Sequence, residues 1–311
     1  MHRWTLALLT AGLLAATATG CAGGTAAVPG AADPSTAVPS TAVPGAADAG
    51  PRRTTGDPRE TLALAEQLLI KECMEKQGHE YWVEPSRPDD VSTRFPYVVD
   101  DPAWARAHGY GTDLRRDREA EARRNPNQRY FHSRPAKDRA VLVSALNGAR
   151  PQGLSARLPG GMQVSHSDQG CQATAERKLY TDLQAWFRAT RVTDSLAGMR
   201  VGLVTNDKRY RAAVEPWARC MRDQGYAYPG PAEARAAATQ PADPWPHTKE
   251  VRLASAEAAC AASSGLSTVA KSLDTEYRDK LRRRYPEETA DLARLRREAL
   301  PRARGIVARG D

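Results

Sequence analysis

Isoleucine and phenylalanine are scarce in this 311-residue chain, which has only two isoleucines and three phenylalanines. Alternating runs of β-branched and aromatic residues, which are typical of half-buried strands, are nearly absent. This absence disfavours a fold built on sheets. Apolar residues at helical spacing are frequent instead, so the sequence predicts a mainly α, irregular helical domain.

The chain also lacks the short motifs of common enzyme and metal sites. It has no GxSxG, no HExxH, no P-loop and no GxGxxG after a strand. It has no CxxC and no histidine pair at ligand spacing, so neither a metal ion nor another cofactor is expected. His166 and Asp168 form the most site-like context, but Asp168 is better explained as the cap of a long helix through Phe187.

The first twenty residues have the three parts of an export signal. Arg3 provides a basic start, and the apolar run Trp4–Ala16 that follows is too short to span a bilayer. The sequence ATGC, which ends at Cys21, resembles the end of a bacterial lipoprotein signal, whose cysteine is lipidated and becomes the new N-terminus. We therefore predict a signal peptide over 1–20 and lipidation of Cys21. An ordinary cleaved signal with an incidental cysteine is the alternative.

Residues 22–56 are built from only eight residue types, mainly Ala, Gly, Pro, Ser and Thr. The segment AVPGAAD occurs in them twice, at Ala27–Asp33 and Ala42–Asp48. Such a composition cannot bury a hydrophobic core, so 21–56 is predicted to be a disordered tether that reaches roughly 30–35 Å on average. The helical domain is then expected to occupy 57–311.

The chain is basic, with a formal net charge of +8. Basic chains often bind nucleic acid, but no nucleic acid is expected as a partner of an exported protein. The anions available there are lipid headgroups, cell-wall polymers and acidic proteins. The densest basic cluster, Arg282–Arg284, is interpreted as a solvated helix face.

Helix start and stop signals divide the domain into several helices. Asp57 and Asp101 each precede a proline and are predicted to cap helices. Gly148 is expected to end a helix, and Pro286 is expected to kink or break one. Asn125-Pro126-Asn127 is interpreted as a turn, and Gly153–Gly170 as a hairpin or an ordered loop.

One phrase, Cys-Met-x-x-Gln-Gly, occurs twice, in ECMEKQGHEYWV and in RCMRDQGYAYPG. Each copy follows an apolar helical stripe, so the glycine is predicted to lie just past a helix in the left-handed conformation. A Schellman ending of this kind brings the methionine and the residue after the glycine together. The predicted helix-stop residues are Met74, Gly78, Met221, Gly225 and Tyr226.

Lipidation of Cys21 would leave four of the five cysteines, which an exported protein usually pairs. Three pairings are possible. We favour Cys73–Cys171 and Cys220–Cys260, because each joins a Cys-Met helix to a later helix and gives two comparable halves, about 57–192 and 193–311. The alternative, Cys73–Cys220 with Cys171–Cys260, would tie the halves to each other.

Several segments carry a resemblance to a known group of proteins. Through the five segments listed below, the chain resembles secreted actinobacterial lipoproteins of the streptomycete type. The resemblance covers roughly 62–307. One departure is AEAAC, where that group more often has Asp two residues after the first alanine. Scarce Ile, Phe and Asn indicate a GC-rich genome, which agrees with such a source. The resemblance implies the location and the four-cysteine pattern, and it provides no catalytic residue. The segments are GYG (Gly109–Gly111), NPNQRY (Asn125–Tyr130), GCQATAERKLY (Gly170–Tyr180), WARCMRDQGYAYP (Trp217–Pro229) and SAEAAC (Ser255–Cys260).

These observations favour a lipid-anchored envelope protein without an evident catalytic site, which binds a cell-wall component or a protein partner. A cell-wall or peptide hydrolase with a site assembled from distant residues stays open as an alternative. A solute-binding lipoprotein is the third hypothesis, although such proteins usually need two α/β lobes. Of the tryptophans that could stack on sugars, Trp186 and Trp217 fall on apolar helix faces, and Trp245 is the freest for exposure.

Overall fold

A computed structural model describes residues 57–84, 91–240 and 244–310. The predicted signal peptide, Cys21 and the predicted tether lie outside these residues. The prediction of a mainly α fold is confirmed. The helices of the described ranges are α1 (Pro58–Lys76), α2 (Val91–Arg94), α3 (Pro102–His108), α4 (Thr112–Arg124), α5 (Pro126–Ser133), α6 (Ala136–Asn147), α7 (Gly170–Tyr180), α8 (Leu183–Asn206), α9 (Lys208–Asp223), α10 (Pro231–Thr239), α11 (His247–Ser263), α12 (Leu266–Arg284) and α13 (Pro286–Gly310).

Several helix boundaries follow from the local signals in the sequence. The side chain of Asp57 accepts a hydrogen bond from the amide of Arg59 at 2.8 Å, and Asp101 caps α3 in the same way. Gly148, at φ +88°, ends α6. Tyr285 is the last residue before α13, which begins at Pro286 as expected for a proline that cannot continue a helix.

Two expectations about helix starts are wrong. Asn125 does not form a turn but caps α5, with its side chain accepting from the amides of the two residues after Pro126. Asp168 does not cap a long helix: α7 begins after Gln169 and ends at Tyr180. The helix is interrupted because Thr181 takes a positive φ of 62°. Asp182 then caps α8, and its side chain accepts a hydrogen bond from the amide of Ala185 at 2.9 Å.

The segment Gly153–Gly170 contains a hairpin, one of its two predicted forms. Strand β1 (Gly153–Arg157) pairs antiparallel with β2 (Gln163–Ser167). Leu154 and Ala156 on β1 are buried against the surrounding helices, while the alternate residues Gly153, Ser155 and Arg157 are exposed. The hairpin therefore covers one side of a helical core and forms no extended sheet.

Two hydrophobic cores organise the domain, and neither is continuous in sequence. The first core contains buried residues of α1, α6, β1, α7 and the start of α8, together with Leu295–Val307 of α13. The second core contains residues of α9, α11 and α12, together with Phe95–Tyr110 from the first part of the chain. Helix α8 contributes to both cores, and the predicted boundary at 192/193 falls within it.

The preferred disulfide pairing is confirmed. Cys73 is bonded to Cys171 with a Cα–Cα distance of 5.5 Å, and Cys220 to Cys260 with 5.7 Å. The first bridge lies in the first core and the second bridge in the second core, so the two disulfide-tied halves are present as these two cores, and each core also takes residues from the other half of the sequence. Disulfides are typical of proteins outside the cytoplasm. Among the described residues, no helix is both long and apolar enough to cross a membrane.

The second Cys-Met phrase ends α9 with Schellman geometry. Gly225 has φ +85°, and its amide donates to the carbonyl of Arg222 at 2.9 Å. The amide of Tyr226 donates to the carbonyl of Met221 at 2.8 Å. These two bonds satisfy carbonyls that the end of a helix leaves without partners. Met221 is fully buried and Tyr226 packs against the same core.

The first copy ends α1 in the same way. Gly78 has φ +77° and donates to the carbonyl of Glu75 at 2.9 Å, and the amide of His79 donates to the carbonyl of Met74 at 3.0 Å. His79 is a poor apolar partner, and Tyr81 packs against the first core, to which Met74 belongs. The repeated phrase is therefore a repeated helix terminator with a bridged cysteine in its final turn.

Candidate functional site

A cleft of about 460 Å³ lies between α9, α10 and the segment that follows α2. We call it the α9–α10 cleft. Its volume falls in the range of roughly 300–1,000 Å³ that is typical of small-ligand sites. The lining residues that carry its chemistry are Tyr97, Tyr210, Arg211, Pro229, Glu233 and Arg235.

Two tyrosines form a fixed aromatic side of the cleft. The ring centroids of Tyr97 and Tyr210 are 6.3 Å apart, and the hydroxyl of Tyr210 donates to the carbonyl of Tyr97 at 3.1 Å. The hydroxyl of Tyr97 donates to Asp274 Oδ1 at 2.5 Å, and Arg200 Nε donates to the same oxygen at 2.7 Å. Burial raises the pKa of Tyr210 to about 12, so this side of the cleft is uncharged at neutral pH.

Two arginines provide the positive charge of the cleft. Arg211 is exposed, and its Nη2 donates to Asn206 Oδ1 at 2.7 Å. Arg235 is half-buried, and its Nη2 donates to the carbonyl of Phe95. The buried Nε of Arg235 has no hydrogen-bond partner within the described part of the chain. This N–H is enclosed by protein atoms, so Arg235 lines the cleft with the accessible atoms of its half-buried side chain.

The start of α10 also lines the cleft. Gly230 is the N-cap of α10 and makes no side-chain cap bond, and Pro231 fills the first helical position. A Cβ at Gly230 would lie 2.9 Å from Glu233 Oε2, so the carboxylate closes over this turn. The cleft therefore presents two guanidinium groups and one carboxylate to a ligand.

Glu257 of α11 is fully buried and is not among the lining residues of the cleft. Its Oε1 accepts from the amide of Val99 at 2.8 Å, and its Oε2 accepts from the hydroxyl of Tyr110. Burial raises the pKa of Glu257 to about 7, against the opposing effects of these hydrogen bonds and of the positive charge of Arg235. Arg235 lines the cleft, so the cation whose charge acts on Glu257 is also one of the two cations of the cleft.

Glu250, two turns earlier on α11, is a second buried carboxylate. It accepts from the amides of Tyr110 at 2.8 Å and Thr112 at 3.2 Å. A Cβ at Gly109, which has φ +58°, would lie 2.8 Å from the Cγ atom of Glu250. The segment GYG is thus the loop that wraps this carboxylate, and the two buried glutamates fasten the 99–112 segment to α11.

Sequence reasoning missed both buried glutamates. They are seven residues apart on α11 and share its buried face with Leu253, Ala254 and Ala258. Acids on an otherwise apolar stripe were the one available signal, because buried carboxylates need dedicated partners. The partners themselves come from a segment about 140 residues away.

A different pair of acids, Glu66 on α1 and Glu176 on α7, lies on two helices that pack together, and both residues are half-buried. Burial, and then the negative charge of Glu176, raise the pKa of Glu66 to about 7. Burial also raises the pKa of Glu176, while a hydrogen bond from Trp186, and then the positive charges of His166 and Arg191, oppose that shift. The structure shows no hydrogen bond between His166 and Asp168 in this described region: His166 Nδ1 lies 3.0 Å from the carbonyl oxygen of Ser167, and the carbonyl of Asp168 accepts from Arg177 at 2.7 Å.

The remaining residues singled out from sequence take structural positions. Trp186 and Trp217 are buried, as predicted. Trp245 is half-buried, with Lys249 Nζ 3.8 Å from its ring centroid.

The Cys220–Cys260 bridge joins the last turn of α9 to α11, the helix that carries Glu257. The first turn of α9 carries Tyr210 and Arg211. Within the described ranges, no group of three or more His, Cys, Asp or Glu residues is arranged to hold a metal ion.

Comparison of the chain with protein-family models, with curated proteins and with solved structures finds no match.

Proposed function

We propose that this protein is a lipid-anchored, extracytoplasmic envelope protein that binds an anionic cell-wall component in the α9–α10 cleft. The observation that carries the proposal is that Arg211 and Arg235 line the cleft together with its aromatic side. Guanidinium groups suit carboxylates and phosphates because their N–H donors match the geometry of these anions.

The anchor part of the proposal rests on the N-terminal sequence. A basic start, a short apolar run and a cysteine after small residues are the signature of a lipidated export signal. The two disulfides support a location in an oxidising compartment. An anchored protein at the outer face of the membrane would meet anionic cell-wall polymers at high local concentration, and its net charge of +8 favours their approach.

The number and the positions of the carboxylates around the cleft favour binding over catalysis. Glu233 is the one carboxylate among its described lining residues. Glu257 is enclosed behind Tyr110 and Val99, so it cannot reach a ligand directly. Hydrolysis of a glycosidic bond needs two carboxyl groups that flank the bond, and the cleft provides one.

Binding of two soluble probes to the lipidated full chain in detergent tests the proposal. A glycerol-phosphate oligomer supplies phosphodiesters, and a uronic-acid oligomer supplies carboxylates, so the two probes separate the sources of the anion. We expect Arg235→Gln to weaken binding of the preferred probe roughly tenfold and Arg211→Gln to weaken it several-fold. Calorimetry measures both effects.

Arg252→Gln is the matched control, since Arg252 is exposed on α11 and is absent from the lining of the cleft. Equal losses in all three variants would mean that only the overall charge matters, and the cleft would then not be the site. In-cell crosslinking of the anchored protein, followed by identification of the attached material, would separate a polymer from a protein partner.

A cell-wall hydrolase is the second candidate, and one observation favours it. Glu66 and Glu176 are two acids on adjacent helices with raised pKa values, as acid–base catalysis often requires. Release of reducing ends from purified cell wall by the protein, and its loss in Glu176→Gln, would establish that candidate. Absence of release at pH 5–8 would remove it.

A further inference from the structure

The two disulfides are alike in exposure and differ in what surrounds the buried sulfur. In the first bridge, Cys73 is half-buried and Cys171 is fully buried. In the second bridge, Cys220 is half-buried and Cys260 is fully buried. An incoming thiol therefore reaches the cysteine of the Cys-Met phrase in both bridges, and the other cysteine has to leave. A difference in reactivity is then expected to come from how well the leaving sulfur tolerates negative charge.

We propose that Cys73–Cys171 is a thiol-exchange site of this protein: the thiolate of a reducing thiol attacks Sγ of Cys73, and Cys171 leaves as a thiolate. Cys220–Cys260 reacts more slowly under the same conditions. The proposed site belongs to the first core and does not depend on the ligand of the α9–α10 cleft.

The exchange takes two steps, and its reductant is a dithiol. In the first step, a bond forms between a sulfur of the dithiol and Sγ of Cys73, the bond between Cys73 and Cys171 breaks, and its electron pair stays on Sγ of Cys171. In the second step, the other thiolate of the dithiol attacks the sulfur that is bound to Cys73, and Cys73 leaves as a thiolate. The dithiol is oxidised to a disulfide, and the two cysteines take up the two protons that it has lost.

The side-chain amide of Gln77 contacts the leaving sulfur. Its Nε2 donates to Sγ of Cys171 at 2.9 Å and lies 3.5 Å from Sγ of Cys73. This N–H donor stabilises a thiolate on Cys171 more than it stabilises the neutral disulfide, because hydrogen bonds to charged acceptors are the stronger ones. A more stable thiolate leaves faster.

The positions of the cysteines in their helices act in the same direction. Cys171 is the second residue of α7, whose N-cap, Gln169, makes no side-chain cap bond within the described chain. The first-turn amides and the positive end of the helix dipole favour a thiolate there. Cys260 lies in the last turn of α11 and Cys220 in the last turn of α9, where the carbonyl end of the dipole disfavours negative charge.

The second copy of the Cys-Met phrase lacks the contact that Gln77 makes. Gln224 has the same position as the C-cap of α9, but its side chain donates to neither sulfur of the second bridge in the part of the chain that the structure describes. The hydroxyl of Ser263 lies 3.7 Å from Sγ of Cys220. It contacts the accessible sulfur, whereas the donor of the first bridge contacts the sulfur that leaves.

The parent protein tests the proposal without any substitution. The lipidated full chain in detergent is incubated with dithiothreitol under native conditions, quenched with iodoacetamide and mapped by mass spectrometry of its peptides. We expect Cys73–Cys171 to open roughly tenfold faster than Cys220–Cys260. With reduced glutathione as the thiol, the mixed disulfide should form on Cys73, and Cys171 should be alkylated.

Gln77→Met tests the hydrogen bond, and Gln224→Met is its matched control. Methionine has a similar length and no N–H donor, so Gln77→Met should slow the opening of Cys73–Cys171 several-fold. A merely structural effect has the opposite sign, because a less stable helix end would expose the bridge and speed its reduction. Gln224→Met should leave the opening of both bridges unchanged.

Three outcomes would overturn the inference. The first is equal rates of opening for the two bridges of the parent, which are expected if reduction requires global unfolding. The second is glutathione attached to Cys171. The third is opening of Cys73–Cys171 in Gln77→Met at or above the parent rate, since the leaving sulfur would then not depend on this donor.

Discussion

The side-chain amide of Gln77 donates a hydrogen bond to Sγ of Cys171 at 2.9 Å, and the same nitrogen lies 3.5 Å from Sγ of Cys73. Gln77 is also the C-cap of α1, directly before Gly78. The helix stop and the disulfide are therefore one local unit, in which the residue that ends the helix also contacts the bridge. In the first copy of Cys-Met-x-x-Gln-Gly, this contact is a physical reason for a glutamine at the position before the glycine.

Substitution of the stop glycine tests this unit. Gly225→Ala places a Cβ in open space, but it forces alanine to adopt φ +85°. The left-handed conformation costs an alanine about 1 kcal/mol relative to glycine, so we expect the free energy of unfolding to fall by about that amount. Guanidinium unfolding followed by circular dichroism measures it.

Gly198→Ala is the matched control for that substitution. Gly198 lies inside α8, and a Cβ there meets nothing within 4 Å. Alanine favours a helix interior over glycine by roughly 0.5–1 kcal/mol, so this variant should gain stability. A higher free energy of unfolding for Gly225→Ala as well would show that the left-handed conformation at this position does not require glycine.

The helix ends could be predicted because their causes lie within a few residues. Asp57 contacts an amide two residues away, and Gly225 donates to a carbonyl three residues away. The break at Thr181 could not be predicted in this way. Threonine rarely takes φ near +62°, and the surrounding packing, which the sequence does not display, decides where α7 ends.

The candidate site could not be predicted because it is assembled from distant segments. Tyr97 comes from the first part of the chain, whereas Tyr210 and Arg235 belong to two helices of the second part. Val99 and Glu257 are 158 residues apart. The spacing of Glu250 and Glu257 on α11 indicates two acids on one face. Their burial depends on the 99–112 segment packing against α11, and local sequence does not show this long-range contact.

Removal of the two disulfides should separate stability from binding. Replacing both Cys220 and Cys260 by alanine opens a loop of 40 residues, and replacing Cys73 and Cys171 opens one of 98. Loop entropy gives upper limits of about 4 and about 5 kcal/mol for the loss of unfolding free energy. Differential scanning calorimetry and guanidinium titrations measure these losses.

The binding readout should differ between the two disulfide variants. The Cys220–Cys260 bridge fastens α9, which lines the cleft, to α11, so its loss should weaken binding of the glycerol-phosphate oligomer several-fold. The Cys73–Cys171 bridge lies in the first core and should leave the affinity unchanged. Equal effects of both variants on affinity would show that the cleft depends no more on the Cys220–Cys260 bridge than on the Cys73–Cys171 bridge.

The predicted anchor is tested by Cys21→Ala. Without the cysteine no lipid can be attached, so we expect the protein to move from the membrane fraction to the culture medium or the cell wall. Immunoblots of the fractions, with incorporation of a labelled fatty acid into the parent, measure the change. Ala22→Ser, which keeps the cysteine, is the control and should stay with the membrane. Equal membrane association of Cys21→Ala and the parent would rule out lipid anchoring at this residue.

Glu66 should make the stability of the first core depend on pH. Burial, with the charge of Glu176, raises its pKa from 4.5 in the unfolded chain to about 7 in the folded protein. Between these values the folded state holds one more proton than the unfolded state, so the free energy of unfolding falls as pH rises through this range. Glu66→Gln removes the penalty and should stabilise the protein by on the order of 2 kcal/mol at pH 8, with no gain below pH 4.5.

Glu72→Gln, on the same helix, is the matched control with the opposite sign. A hydrogen bond from Lys76 and the charge of Lys178 lower the pKa of Glu72, so its ionised form favours the folded state. Stability from this exposed group is present above pH 4.5 and is lost as pH falls, so the control should be slightly less stable than the parent at pH 8. Urea unfolding of both variants at pH 4, 6 and 8 decides the matter. A loss of stability in Glu66→Gln at pH 8 would show that Glu66 is held in its ionised form by contacts that outweigh its burial.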